Sequence, residues 1–478
     1  MIKKTTASTS LLILFIFMLT GCAVGPDYVK PTSSNPASFT VPKGWKVAQP
    51  NDNNIPSNWW QLFHDPVLND LETQVEQSNQ SLAQQFAALR QARALVTADT
   101  APLFPSFTLN ETTTRNRYSS GAFSFFPGHI FDNHSLNMQA SWELDVWGSI
   151  RRQIEADVAS MQASASQVAA TRLSLQSQLA ADYFQLRADD TQEALLQQTI
   201  QVYKQYIELT KNRFDEGVAA ETDLIQAETQ LKTAETQMID LGVQRSQMEH
   251  AIAVLIGKAP SELQIKKQNL TDFNLEIPVT VPSVLIERRP DVSVAERNAA
   301  SASAKIGVAK AAFFPTVNLT GNIGYQSNIY NNLIGPSNYG WGISPSVSLP
   351  IFDGGQRLGG YREAVAQYDQ AVANYRQVVL TAFQNVEDNL SAAAILTREI
   401  SVQNEAVELS KKNLDLTRSQ YIAGTVNYLN VITAQATLLS SQINAIQIKS
   451  RQYVAGVQLV VALGGGWDKS QEPELSNK

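Results

Sequence analysis

The sequence predicts an α+β membrane protein in which a unit of two strands and two very long helices occurs twice. Three observations predict this. The first is an internal repeat. Residues 209–231 read LTKNRFDEGVAAETDLIQAETQL and residues 416–438 read LTRSQYIAGTVNYLNVITAQATL. Leu209 and Leu416, Phe214 and Tyr421, Gly217 and Gly424, Leu224 and Val431, Ile225 and Ile432, and Ala227 and Ala434 share one offset. A repeat of this kind sets the architecture before any element is assigned. The second is a set of segments about ten residues long that alternate apolar and polar side chains. The third is a set of long helical stretches free of proline.

The start of the chain gives an address. Lys3 and Lys4 precede an apolar run over residues 11–19, and Leu19-Thr20-Gly21-Cys22 follows. A basic segment before a short apolar run is a secretory signal, and it is shorter than the roughly 20 residues a membrane helix needs. Cys22, the only cysteine, closes a sequence that resembles the bacterial lipobox. The resemblance implies cleavage before Cys22 and a covalent lipid there. Ala23, in place of aspartate, implies sorting to the outer membrane. A single cysteine excludes an internal disulfide. Without Lys3 and Lys4 the chain keeps 35 Lys and Arg against 44 Asp and Glu, which argues against nucleic acid as partner, since that requires a basic patch.

Four segments read as strands. Residues 136–146 alternate Leu136, Met138, Ala140, Trp142, Leu144 and Val146 with Asn137, Gln139, Ser141, Glu143 and Asp145. Residues 317–325 and 341–351 alternate similarly, and residues 104–117 do so weakly beyond Leu109. Period-two alternation over about ten residues suits a transmembrane strand as well as a half-buried soluble sheet. In lipid, strands must close into a barrel. Four do not suffice, because membrane barrels begin at about eight strands and those are filled by side chains. Two copies would give eight strands and a filled barrel, and three copies twelve strands and room for a pore, so the strand count points to a homotrimer if the function is transport.

The helices follow the strands. Residues 149–215 lack proline and glycine, and at about 1.5 Å per residue would form a rod of roughly 100 Å. Residues 218–256, 356–423 and 425–463 complete the set. Ile154, Val158, Met161, Ala165 and Val168, then Leu195, Val202, Tyr206 and Leu209, trace a narrow coiled-coil seam. Gly217 and Gly424 fit left-handed turns between helices. The division is thus a signal over 1–21, an N-terminal flank over 22–64, repeats over 65–256 and 290–463, each opening with a helix, a linker over 257–289, and a C-terminal flank over 464–478.

Several motifs carry a family resemblance: Cys22 with its preceding residues, Trp59-Trp60-Gln-Leu-Phe-His-Asp65-Pro66, Trp142-Glu143-Leu-Asp145-Val-Trp147-Gly148, Glu287-Arg288-Arg289-Pro290-Asp291, and both glycine turns. The chain resembles TolC-like outer membrane factors of the NodT-type lipoprotein branch. The resemblance implies a homotrimer with a twelve-stranded β-barrel in the outer membrane, continuing into a twelve-helix α-barrel across the periplasm. It implies a passive duct of a tripartite efflux system, docking a periplasmic adaptor and an inner-membrane pump of the RND type at the tips near Gly217 and Gly424. It places an aperture ring at Leu429. Asn430 and Thr433 hold the positions where relatives carry a carboxylate. Asp223 keeps an acid in the first repeat, but its expected basic partner corresponds to Val426, so the tip is expected to shut through apolar packing.

An enzymatic reading has little support. His129 and His134 flank an expected outer loop, and His64 and His250 lack paired ligand motifs. No cofactor is expected beyond the lipid on Cys22. Two alternatives to drug efflux stand: a duct for protein secretion, and a coiled-coil lipoprotein that tethers envelope layers.

Overall fold

The computed structural model describes residues 23–33, 58–117, 119, 121, 128–271 and 288–467. Cys22 and Glu287 lie outside these residues. The described chain divides into two compact units. One holds Ala88–Ser164 and Val294–Tyr375 with the N-terminal stretch to Thr32; the other holds Ser33–Ala87, Ala165–Ser293 and Arg376–Lys478.

The first unit is organised by a sheet of β1 (Ser106–Arg117), β2 (Ile130–Leu144), β3 (Thr316–Ser327) and β4 (Tyr339–Ser348). Every neighbouring pair is antiparallel and the order is β1-β2-β3-β4. The register joins the alternating apolar positions into rows. Leu109 pairs with Met138, Met138 with Ile323 and Ile323 with Trp341. All four side chains are exposed. The neighbouring row, Asn110–Asn137–Gly324–Gly340, is polar or small and belongs to the opposite face. One face is therefore apolar and open, and both edge strands have an unpaired side.

Strand limits differ from those expected. β1 pairs with β2 along its full length, to Arg117 opposite Ile130, although its apolar alternation fades after Leu109. Its second half contains Thr112, Thr113 and Thr114, and β-branched residues favour extended backbone whatever their polarity. β2 starts at Ile130 rather than at 136, because its first six residues pair with the far half of β1 from Thr112 to Arg117. It ends at Leu144, where the Val146 amide turns back to the Leu144 carbonyl at 2.8 Å. β4 stops at Ser348 instead of running to 351, because Pro350 has no N–H for a ladder. Pro345 is accommodated inside β4, an edge strand. His134 sits within β2 and not in a loop. Its Nδ1 lies 3.0 Å from the Thr113 hydroxyl, and its ring meets Tyr330 edge-on at 5.2 Å.

The sheet leads into helices through two motifs. Trp147 donates from Nε1 to the Pro315 carbonyl at 2.7 Å and stacks on Phe314 at 4.8 Å. Asp145 accepts from the amides of Ile150 and Arg151, each at 3.0 Å, and so caps the next helix. The N-terminal stretch packs in this unit too. The Val24 amide donates to the Trp147 carbonyl at 2.9 Å, and Arg152 reaches Asp27 at 2.7 Å.

The long helices reproduce the duplication to the residue. α3 (Ser149–Asp215) and α4 (Glu221–Leu255) precede α5 (Pro290–Ala311); α6 (Gln356–Ile422) and α7 (Tyr428–Ala462) close the chain. Every bound of α6 and α7 equals its counterpart in α3 and α4 plus 207. Among the described residues no helix is long and apolar enough to cross a membrane.

The second unit contains the main core. Trp59 and Phe63 lie in a short 3-10 helix (Trp59–Phe63) and pack on Phe184 and Tyr453, with ring centroids 4.8 Å apart for Phe63 and Phe184 and 5.1 Å for Phe184 and Tyr453. Asp65 explains the motif that follows. Its Oδ1 accepts from the amides of Val67 and Leu68 at 2.9 and 3.2 Å, capping α1 (Pro66–Ser78) with proline at its first position. Its Oδ2 accepts the Tyr183 hydroxyl at 2.6 Å. The single opening helix expected in the first repeat is two helices, α1 and α2 (Gln80–Thr100). Asn79 breaks it: Oδ1 accepts from the Leu82 amide at 2.9 Å while Nδ2 donates to the Leu255 carbonyl at 2.7 Å. A side chain that caps one helix start and one helix end favours the break over continuation.

Candidate functional site at the two hairpin tips

Both tips are built by the same hydrogen bonds. The Gly217 amide donates to the Phe214 carbonyl and the Val218 amide to Arg213, each at 2.8 Å. Gly424 donates to Tyr421 and Thr425 to Gln420, each at 3.0 Å. This is the Schellman motif, which satisfies the last carbonyls of a helix with one residue in left-handed conformation. Gly217 and Gly424 have φ of 75° and 76°, and a Cβ on either would meet nothing within 4 Å. The requirement is conformational, not steric. The next helix starts at Glu221 or Tyr428, three residues later than expected at 218 and 425, because Ala220 and Asn427 stay extended. Asn427 caps α7 by accepting from the Asn430 amide at 3.3 Å.

The predicted site residues fall on distinct surfaces. Leu429 is the second residue of α7 and 49% exposed. It shares one exposed face with Asn430, Thr433, Ala436 and Thr437. Thr433 donates its hydroxyl to the Leu429 carbonyl at 2.9 Å, and Thr437 repeats this on Thr433 at 2.8 Å. The hydroxyl protons on this face are thus engaged by backbone. Asp223 is half-exposed on α4. Its charge adds a minor push to the raised pKa of Tyr428, which burial holds well above the ordinary phenol range.

An aromatic cluster not singled out from the sequence joins the tips. Tyr203, Tyr206, Tyr421 and Tyr428 are all buried with Val431 and Ile432. Tyr428 lies 5.5 Å from Tyr421 and 6.2 Å from Tyr206 between ring centroids. Arg213, at the end of α3, stands 4.5 Å over the Tyr421 ring and donates from Nη1 to the Tyr421 carbonyl at 3.1 Å. Arg418 stands 5.8 Å over the Tyr206 ring. The hairpins of the two repeats are therefore clasped by two reciprocal cation–π contacts, one arginine from each. Such contacts contribute about 0.5–2 kcal/mol, more as they are dehydrated. The Tyr421 hydroxyl and the Thr210 hydroxyl are buried without a partner. The available signal was the difference between the repeats, Tyr421 and Tyr428 standing where the first copy has Phe214 and Glu221.

The seam holds at Met161, Val168 and Tyr206, which are buried, and is shifted at other positions of α3 toward its tip. Leu195 and Val202 are half-buried and Leu209 is exposed, whereas Leu196, Tyr203 and Thr210 are buried. The seven-residue step was correct, and the face was correct at Met161, Val168 and Tyr206 but shifted by one residue at Leu195, Val202 and Leu209. α3 carries apolar side chains on adjacent faces, and periodicity alone does not select between them.

A sheet with one open apolar face and two unpaired edges, together with two long helix hairpins of equal length, is the build of an outer-membrane channel subunit. Other proteins share this build. The chain matches the family described as outer membrane efflux protein over residues 71–258 and 281–465, and belongs to it. It is 29% identical to the toluene efflux pump outer membrane protein TtgC of Pseudomonas putida, over 97% of this chain and 96% of the relative. It is 28% identical to the pyoverdine export outer membrane protein OpmQ of Pseudomonas aeruginosa, over 91% and 93%. The solved structure of the outer-membrane channel OprN, 29% identical, covers 93% of this chain and 100% of its own with a TM-score of 0.87. The protein is an outer membrane efflux component and extends into the periplasm.

Proposed function

We propose that three copies close a twelve-stranded barrel through edges β1 and β4 and a twelve-helix tunnel through the long hairpins, forming a passive export duct for small solutes. Leu429 from each copy meets on the threefold axis and shuts the tunnel by excluding water. The clasp of Arg213, Tyr421, Tyr428, Tyr206 and Arg418 sets the position of α7 and hence of Leu429. A periplasmic adaptor engages the turns at Gly217 and Gly424 and an inner-membrane pump supplies the cargo. A lipid on Cys22 anchors the N-terminus in the outer membrane. The observation that carries the aperture is the change of environment in two adjacent residues. Tyr428 is buried in the clasp while Leu429 is left open on a face of small and hydroxyl side chains.

The test is single-channel conductance of the purified oligomer in planar bilayers. Leu429→Ala is expected to raise basal conductance severalfold with the oligomer unchanged. Conductance equal to the unaltered protein would remove Leu429 from the aperture. The envelope-tether reading predicts no conductance in either protein.

A further inference from the structure

The second unit contains a cavity of about 540 Å³ lined by α1, α3 and the residues after α7. One wall is α1, where Asn69, Thr73 and Glu76 recur at helical spacing on one face. The opposite face of the same helix buries Leu68, Leu71 and Val75 in the core, which fixes the wall. The facing wall is α3, with Arg172 and Gln176 one turn apart. A third side is the backbone of Gly464–Gly466, all with positive φ. A Cβ on Gly465 would stand 2.1 Å from a Leu173 methyl, so this side is bare backbone by necessity. The Trp60 indole also borders the space.

Two buried polar atoms of lining residues have no partner: Asn69 Oδ1, an acceptor, and Arg172 Nε, a donor. Neither atom has surface open to the cavity, so both lie behind its lining, and the ligand chemistry is read from the lining side chains that do face the space. The Arg172 guanidinium is steered by Glu76, whose Oε1 lies 3.5 Å from Nη2.

The lining has a recognisable chemistry. Amide, carboxylate and hydroxyl side chains match the mixed donors and acceptors of sugar hydroxyls. An indole offers an apolar face to ring C–H groups. A guanidinium selects a carboxylate by charge-assisted hydrogen bonds. The volume is that of a small-molecule site. We propose that this cavity binds a carboxylate-bearing sugar ring. The periplasmic extension of the chain allows two sources, a soluble sugar acid and the lactyl-bearing glycan of the cell wall.

The experiment is calorimetric titration of the detergent-purified full chain with N-acetylmuramic acid and with N-acetylglucosamine, which lacks the lactyl carboxylate. Saturable binding is expected, about tenfold tighter for the acid. Arg172→Gln, at a partly exposed side chain, should erase that preference while neutral binding persists. Asn69→Ala should weaken both sugars. Elution volume and thermal midpoint verify that both variants fold. Co-sedimentation with isolated sacculi that Arg172→Gln abolishes would assign the cell-wall source. Binding of the soluble acid without co-sedimentation would assign the soluble source. No saturable heat with either sugar, or equal affinities that Arg172→Gln leaves unchanged, would overturn the proposal. Planar-bilayer conductance reads the export function separately and is expected to be unchanged in Arg172→Gln.

Discussion

Glu72 lies fully buried on α1, and neither carboxyl oxygen has a hydrogen-bond partner. Burial raises its pKa well above the ordinary 4.5. The folded chain therefore retains a proton that the unfolded chain releases above about pH 4.5. Its contribution to stability is fully present below that pH and is lost as pH rises toward the folded value. Glu72→Met is expected to raise the thermal midpoint at pH 7, by an amount equivalent to about 1–3 kcal/mol of relieved desolvation. It should also flatten the decline in stability between pH 5 and 8, which differential scanning calorimetry would record. A midpoint lowered at every pH would mean that the carboxyl is satisfied in the fold. At the tip, the Tyr421 hydroxyl is buried without a partner while its ring carries Arg213. Tyr421→Phe should therefore leave basal conductance low, whereas Tyr421→Ala and Arg213→Ala should raise it. Equal conductance in all three variants would dissociate the clasp from the aperture.

Among the elements, the Schellman turns make a graded prediction. Neither glycine has a neighbour that a Cβ would strike, so substitution costs only the left-handed backbone. Gly217→Ala and Gly424→Ala should each destabilise their hairpin by about 1–2 kcal/mol, and asparagine should cost less. Hydrogen exchange over the adjacent turns would measure both; equal rates for Ala and Asn would contradict the conformational argument. The turns were legible because glycine repeated at one offset has few other meanings. The long helices were legible because α3 has 67 residues without proline or glycine and the repeat carries the same plan to the second half. Asn79 was not. Its break depends on the Leu255 carbonyl, 176 residues away, and no local pattern announces that partner. The tyrosine clasp was missed for the same reason: a residue at a helix end shows its environment only when the other repeat is laid against it. Leu429 was placed by resemblance, and no pattern in its own sequence marks it as an aperture.

For the whole molecule, the row Leu109–Met138–Ile323–Trp341 is the decisive surface. Open apolar area of this extent on a folded chain is a site of association with lipid or protein. A lysine at Ile323 would enter that row, and at mid-depth should cost about 2–4 kcal/mol. Ile323→Lys is expected to deplete the protein from the outer-membrane fraction. Asn322→Lys, one residue along and on the polar face, should fractionate normally. Equal fractionation of the two would mean that the face does not meet lipid.

The constant offset between the hairpins conceals a division of labour. Tyr421 and Ile432 are 5% and 6% exposed, but their counterparts Phe214 and Ile225 are 39% and 54% exposed. At these two positions the second hairpin packs inside its own chain, while the first keeps its apolar side chains on offer. In a solitary protomer the first tip should fray while the second stays closed. In the proposed ring a neighbour would cover Phe214 and Ile225, so slowed exchange at the first tip would report that the ring is complete.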